Sequence, residues 1–482
     1  MKLKRYTYIA SLTAAAFFTL TSCSQYLDTE PISDLATNPA YPIKDAADAE
    51  AKMVTIYSDF GNEYWQLDYF FNGDAQTDIS YAGADNVQNF QMDEYRILAS
   101  NTNVNRDWVY LNTFIDHCNK ILNYVDGVSD PALTSSRKNE MKAEAAIFRS
   151  MYWLQMAQIW GDSPLVTLAV IDVNADNFNE VYSQLYPSRK PIAEVYNRII
   201  ADLEGAVANA PASSQKFKAN KGAAYTLLAK AYATKPNPDW TKVKQNCDLA
   251  MGQGYSLLPV YDNLFDGAHE GNAESIWEVN GDPGTFYAWG TFMFTGTDWK
   301  KFNVPSNDLV KTFNDAGDTQ RLNSTVSFSS VTWADTYWPS NNYPFMKKMR
   351  LTDGNQNFYL LRYADLLLLK AEANVQTGDL SGAAALVNQV RARVGLSPVS
   401  IASAEDGINK ILLERKMELA FEGHRWFDLK RTGKAVSILS QQKNGSGTIL
   451  PYAANINQNR LLWPIPQAQM DKNSNLTQNP GY

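Results

Sequence analysis

Residues 411–431 read ILLERKMELAFEGHRWFDLKR, and this stretch decides the fold. Leu413, Met417, Ala420 and Phe421 recur at i, i+4, i+7 and i+8, the spacing of one helical face, so they predict an apolar stripe turned toward other helices. Arg415 with Glu418, and Glu422 with Arg425, stand at i, i+3 and are expected to pair along that helix. His424, Arg425 and Asp428 are residue types that suit acid–base chemistry. Set beside Trp426 and Phe427, they are expected to form a fixed polar network rather than a catalytic centre.

The same 3.6-residue period extends upstream from this helix. Trp108, Leu111, Ile115, Cys118 and Leu122 set one face, and Ala143, Ile147, Met151 and Leu154 set another after the Asp130-Pro131 break. Val195, Ile199, Leu203 and Ala206 make the next. Residues 222–232 (GAAYTLLAKAY) pair with a helix carrying Val243, Cys247, Ala250 and Met251, closed by Gly254. Ala364, Leu367, Leu368, Ala371 and Val375 precede a turn at Gly378-Asp379, and Ala383, Leu386, Val387 and Val390 return. Small residues where helices cross, with glycine at the turns, are what stacked helix pairs of about 34 residues require. The expected fold is therefore predominantly α, a tetratricopeptide-like helix-pair scaffold.

Two segments, 62–95 and 259–359, break that rhythm and are rich in Gly, Asn, Asp and aromatic residues. They are expected to be irregular loops that carry ligand groups on the rigid helical frame. Length gives a prior of about three domains at roughly 150 residues each. No Pro/Gly/Ser-rich linker divides the 482 residues, so residues 23–482 are expected to form one composite domain.

At the N-terminus, Lys2, Lys4 and Arg5 precede an apolar run from Ile9 to Leu20, and Leu20-Thr21-Ser22-Cys23 follows. This predicts a lipoprotein signal peptide over residues 1–22 and lipidation of Cys23, with an exported chain tethered by acyl groups. Cys118 and Cys247 are expected to be buried free thiols rather than a disulfide. A net charge of −8 gives no basic footprint for nucleic acid. No segment fits a P-loop or G-x-G-x-x-G. His269-Glu270 opens like a zincin motif, but position 273 is Ala, and three histidines in all leave little for zinc. The expectation is no catalytic residue, no metal site and no cofactor. Calcium on Asp or Asn oxygens stays open, with no EF-hand spacing to place it.

The order E-R-x-x-E-L-A-F-E-G-x-R-W-F-D-L, carried by Glu414 to Leu429, closely resembles the C-terminal signature of the SusD/RagB-like outer-membrane nutrient-binding lipoproteins. The likeness extends along the chain. Cys23-Ser24-Gln25-Tyr26-Leu27-Asp28 with Pro31 resembles the family's lipidated start, and Glu144-Ala145 with Arg149, then Trp160-Gly161-Asp162-Ser163-Pro164-Leu165, its next segment. Pro187-Ser188-Arg189 with Glu194-Val195-Tyr196 and Asp202-Leu203, and Leu361-Arg362-Tyr363-Ala364-Asp365, continue it. Asn388, Arg391, Arg393, Gly395, Pro464-Ile465-Pro466 and Gln478-Asn479-Pro480-Gly481-Tyr482 complete it. Most of these residues look structural, and Arg362 and Asp365 are expected to satisfy each other or nearby backbone groups.

The resemblance implies a SusD-like fold and a surface-exposed, lipid-anchored protein of the cell outer membrane. It implies capture of oligosaccharides and their delivery to a SusC-like TonB-dependent transporter, over which the protein sits as a lid. A glycan site needs flat rings against sugar faces and amides or carboxylates at the rim. Tyr287 and Trp289 in GTFYAWG, and Trp333, Tyr337 and Trp338 in VTWADTYWP, are the ring candidates. Asp74, Asp78 and Tyr81 in NGDAQTDISY are the candidate polar contacts, whereas Trp65 and Trp299 are expected in the core. Three alternatives remain. A secreted glycoside hydrolase would need two carboxyl groups roughly 5–10 Å apart. The others are a peptide-capturing lipoprotein of the same fold and a helical adaptor binding protein through its groove.

Overall fold

A computed structural model describes residues 42–170, 172–281, 289–296, 299–351 and 356–482. The signal peptide, Cys23 and Tyr287 lie outside the described residues, as does the side chain of Trp289. Eight helices form the frame: α1 (Thr102–Tyr124), α2 (Ser135–Trp160), α3 (Ile192–Ala206), α4 (Lys221–Thr234), α5 (Trp240–Met251), α6 (Tyr363–Gln376), α7 (Leu380–Arg393) and α8 (Ala404–Glu418). Each packs on the next from α1 through α7, and α8 closes on both α6 and α7. The predicted apolar faces are the packed ones, with Ile115, Cys118, Ile147, Ile199, Val243, Leu367 and Val390 all buried.

Their starts follow from the sequence. Asn101, Thr134, Asn220, Asp379 and Ser403 each accept a backbone N–H from the first turn of the helix they precede, satisfying a donor the helix cannot. Gly378 supplies the left-handed turn (φ 86°) between α6 and α7. Cys118 and Cys247 are free and buried.

Among the described residues, besides the two-residue pair Ser163–Pro164 with Arg189–Lys190, the short strands are β1 (Ser80–Ala82), β2 (Ser275–Val279), β3 (Asn303–Pro305), β4 (Val326–Ser329), β5 (Tyr343–Met346) and β6 (Phe358–Arg362). They pair antiparallel as β1 with β3, β2 with β6, and β4 with β5. The described part of segment 259–359 therefore holds ribbons and helices such as Asn307–Ala316, not loop alone. Segment 62–95 departs further from expectation. It coils through Tyr64–Asp68 and Tyr69–Asp74, and Tyr64, Trp65, Phe70, Phe71 and Ile79 are buried in the main core. Its aromatic residues pack the centre of the molecule, and Trp65 is core as expected. Trp299 is half-buried, edge-on to Phe302 with the Lys301 ammonium 4.7 Å from its ring, and so is not core.

The 411–431 stretch does not form one helix. α8 stops at Glu418, and Phe421 (φ 63°) and Gly423 (φ 77°) turn the chain before a short helix restarts at Arg425. Met417, Ala420 and Phe421 are buried, but Leu413 is 45% exposed. The expected i, i+3 pairs do not form either. The Glu418 carboxylate instead accepts from Arg321 at 3.0 Å, from Arg362 at 2.6 Å and from Arg393. Glu422 takes Lys348 and Arg362, each at 2.6 Å. Arg415 bridges Asp365 and Asp428 at 2.7 Å each. Arg362 and Asp365 thus have separate partners, because the helix start aims them into different networks. His424 lines a small pocket of about 60 Å³ with Lys230, Asp365 and Arg415, and burial pushes its imidazole down to about 4.

Other signature residues join the end of α2 to the C-terminus. Arg189 donates to the carbonyls of Trp160, Asp162 and Thr477 and to Asn479 Oδ1, while Asn479 Nδ2 donates to the carbonyls of Trp160 and Trp463. Arg149 clamps Asp202 at 2.6 Å and Asn119 at 2.7 Å between α1, α2 and α3. These side chains fix where elements meet.

Candidate functional site

Between β4 and β5 the chain makes a tight turn at Asp335-Thr336-Tyr337-Trp338. Asp335 Oδ1 accepts the backbone N–H groups of Tyr337 (2.8 Å) and Trp338 (2.9 Å), the self-capping geometry that Asp favours in turns. Its Oδ2 accepts the phenols of Tyr81 (2.8 Å) and Tyr343 (2.7 Å), and the Lys300 ammonium stands 3.7 Å away. One carboxylate therefore joins β1, β5 and the turn.

Rings close around it. Tyr81 stacks on Tyr337, with centroids 3.9 Å apart and planes 16° from parallel. Tyr343 meets Trp333 edge-on at 5.9 Å. Trp338 donates Nε1–H to the Pro305 carbonyl at 2.9 Å and packs on the exposed Phe328. The hydroxyls of Tyr337 and Tyr452 lie 3.3 Å apart. Tyr81 and Tyr343 are buried, whereas Trp333, Tyr337 and Trp338 keep part of their surface at the edge of the patch. Burial raises the Tyr81 phenol well above its ordinary range, with Tyr343 and Asp335 adding to it, so it stays a neutral donor to Asp335.

Four of the sequence candidates thus converge: Tyr81, Trp333, Tyr337 and Trp338. Tyr81 is the buried support rather than a polar contact. Asp74 and Asp78 do not join them. Asp74 is fully buried and accepts the Gly423 N–H at 2.9 Å, and burial pushes its carboxyl up to about 7. Asp78 is clamped by Arg425 at 2.7 and 2.8 Å and by Lys416 at 3.0 Å, and the two cations hold its carboxyl well below the usual range despite burial. Both carboxylates hold the 411–431 turn in place. Trp289 opens the short helix Trp289–Phe294, whose Gly290 presses on the Gln66 backbone.

Asp335, Tyr343 and Tyr452 escaped the sequence reading. For Asp335 a signal existed, an Asp two and three residues ahead of Tyr337 and Trp338. Beside the turn lies a cleft of about 800 Å³ between the helix Asn307–Ala316 and residues 437–447, lined mostly by polar residue types. Among the described residues no cluster of three His, Cys, Asp or Glu side chains could hold a metal ion, and no helix is long and apolar enough to cross a membrane.

The SusD family model matches residues 213–482, more than half of the chain, and a model described as "Starch-binding associating with outer membrane" matches residues 25–233. The chain belongs to the SusD family. It is 26% identical to SusD-like protein P2 of Formosa agariphila over the whole of both chains, and 25% identical to SusD-like protein P38 of the same organism over 96% of each. Starch-binding protein SusD of Bacteroides thetaiotaomicron is 22% identical over 78% of each chain. Among solved structures, a SusD superfamily protein of Bacteroides vulgatus superposes with a TM-score of 0.76 at 20% identity, covering 91% of this chain and 99% of that one. A laminarin-binding SusD-like protein superposes at 0.72 with 24% identity, covering 91% and 100%. The predominantly helical SusD fold read from the sequence is the fold observed.

Proposed function

We propose that this SusD-family chain is a non-enzymatic, cell-surface lipoprotein that captures oligosaccharides on the aromatic turn around Asp335. It then passes them to a SusC-like TonB-dependent transporter that it covers as a lid. The observation that carries the reading is the Tyr81–Tyr337 stack held by Asp335, which keeps Trp333, Tyr337 and Trp338 rigid and part-exposed. Rigid rings bind a sugar face without a large ordering cost.

Relatives described as starch-binding and laminarin-binding support a glycan as the ligand. Tyr287 and Trp289, close in sequence, are proposed to add ring surface to the same site. Capture rather than hydrolysis fits the carboxylates: Asp335 is saturated by donors, and Asp74 and Asp78 are sealed in the interior. The lipid anchor is proposed at Cys23, and the family model described as associating with the outer membrane supports a location at that membrane, proposed here to be its outer face.

The test is calorimetric titration of the mature chain, lacking only its acylated cysteine, against laminarin, soluble starch, other polysaccharides and peptides, with chromatography of each mixture. Saturable glycan binding without products supports capture. Released products would make it a hydrolase, and peptide binding alone would move it to peptide uptake. Co-purification with the transporter through the anchored protein tests the lid.

A further inference from the structure

The cleft beside the aromatic turn is built on the same turn as the site itself. Asn307 Nδ2 donates to the Tyr337 carbonyl at 3.0 Å, which leaves Asn307 Oδ1 without a donor among the described residues. From the other side Gly445 N donates to the Thr336 carbonyl at 3.1 Å, and a Cβ on Gly445 would stand 2.3 Å from the Tyr337 carbonyl oxygen. Glycine is what lets residues 443–449, joined by the bridge from Lys443 to Ile449, lie this close to the turn. Both walls of the cleft therefore touch the peptide that carries the candidate sugar-stacking ring.

The lining chemistry is selective. Ile438 is the one apolar side chain among the residues around the cleft. The side-chain amides of Gln441 and Gln442 face it and make no hydrogen bond to any other described residue. Asp308 sits on the wall, half-exposed and tied to Lys416. An amide donates and accepts at once, which suits the neighbouring hydroxyls of a sugar. At about 800 Å³ the cleft is within the roughly 300–1,000 Å³ of sites that enclose a small ligand.

We propose that this cleft is an extension subsite, in which the chain of a glycan held at Tyr337 continues onto the Gln441 and Gln442 amides. The protein thereby selects oligosaccharides over short sugars. The inference rests on the capture reading above and adds to it a length preference and a second set of contacts.

The experiment uses a ladder of oligosaccharides, disaccharide upward, cut from the polysaccharide that the mature chain binds in the panel that begins with laminarin and starch. Each rung is titrated against the wild-type chain, against a chain carrying Gln441→Ala and Gln442→Ala, and against Tyr337→Ala. Wild-type affinity is expected to rise by about tenfold or more with length, the double variant to lose that gain while binding the shortest rungs as before, and Tyr337→Ala to weaken every rung. A length dependence that survives the double variant, or no length dependence at all, overturns the subsite and leaves capture at the aromatic turn standing. Failure of the wild-type chain to bind any polysaccharide of the panel overturns both.

Discussion

The Tyr81 ring lies face to face with Tyr337, 3.9 Å between centroids, so strand β1 directly supports the turn before β5. Removing the Tyr337 ring should abolish the exposed stacking face while leaving Tyr81 held by Asp335 and Tyr343. Tyr337→Ala is expected to weaken glycan binding by about tenfold or more. Tyr337→Phe, which keeps the ring and loses only the contact with Tyr452, should bind nearly as wild type. Calorimetric titration of the two variants side by side decides this.

Asp335→Ala deletes an acceptor used by two backbone N–H groups and two phenols. The expected cost is about 1–3 kcal/mol of stability, because buried donors lose their partner. Ligand affinity should fall as well, through a loosened turn. Urea unfolding together with titration would reveal both effects, and unchanged affinity would separate the turn from the site.

Glu418→Ala leaves Arg321, Arg362 and Arg393 short of a buried counter-charge. Breaking such a network from one side costs roughly 3–5 kcal/mol. The loss should appear as a lower unfolding midpoint, and whatever folded protein remains should bind glycan with wild-type affinity, since these groups lie in the scaffold.

His424 gives a pH dependence of defined sign. Its folded value of about 4 lies below the ordinary 6.5, through burial and the neighbouring Lys230 and Arg415, against the opposing pull of Asp365 and Asp428. The unfolded chain therefore takes up the proton first, and this contribution to stability, present above about pH 6.5, is lost as pH falls toward 4, by roughly 3 kcal/mol. Asp74, raised to about 7, opposes it over the same interval, so the readout is the difference between His424→Gln and wild type. That difference should shift in the variant's favour by the stated amount between pH 7 and 4, measured by chemical denaturation. A pH-independent difference would refute it.

Two glycines separate steric need from helix propensity. A Cβ on Gly73 would stand 2.2 Å from the Gly423 carbonyl oxygen, so Gly73→Ala should cost at least about 1–3 kcal/mol as the 419–424 turn is pushed away. A Cβ on Gly205, exposed near the end of α3, meets nothing within 4 Å, and Gly205→Ala should stabilise by up to about 1 kcal/mol. Thermal melts of the pair test the contrast.

Part of the candidate site was visible from residue types. Dense rings flanked by Asp and Pro marked 333–338, and the turn there does gather Trp333, Tyr337 and Trp338. The polar half was misread at Asp74 and Asp78, because an aspartate near aromatic residues looks the same in sequence whether it faces solvent or a buried arginine. Asp78 is paired with Arg425, far along the chain, and no local pattern announces that.

By itself the sequence determined the helical frame, its turns and caps and its family. Apolar period, N-cap side chains and the glycine at 378 act within a few residues and carry their meaning locally. Only the tertiary structure decided which charges neutralise which, that α8 ends at Glu418 rather than running on through Phe421, and that segment 62–95 fills the core. Buried ion pairs and ring stacks depend on which elements meet in space. A carboxylate such as Glu418 takes its partners from strands and helices that folding brings to it, not from its neighbours at i, i+3.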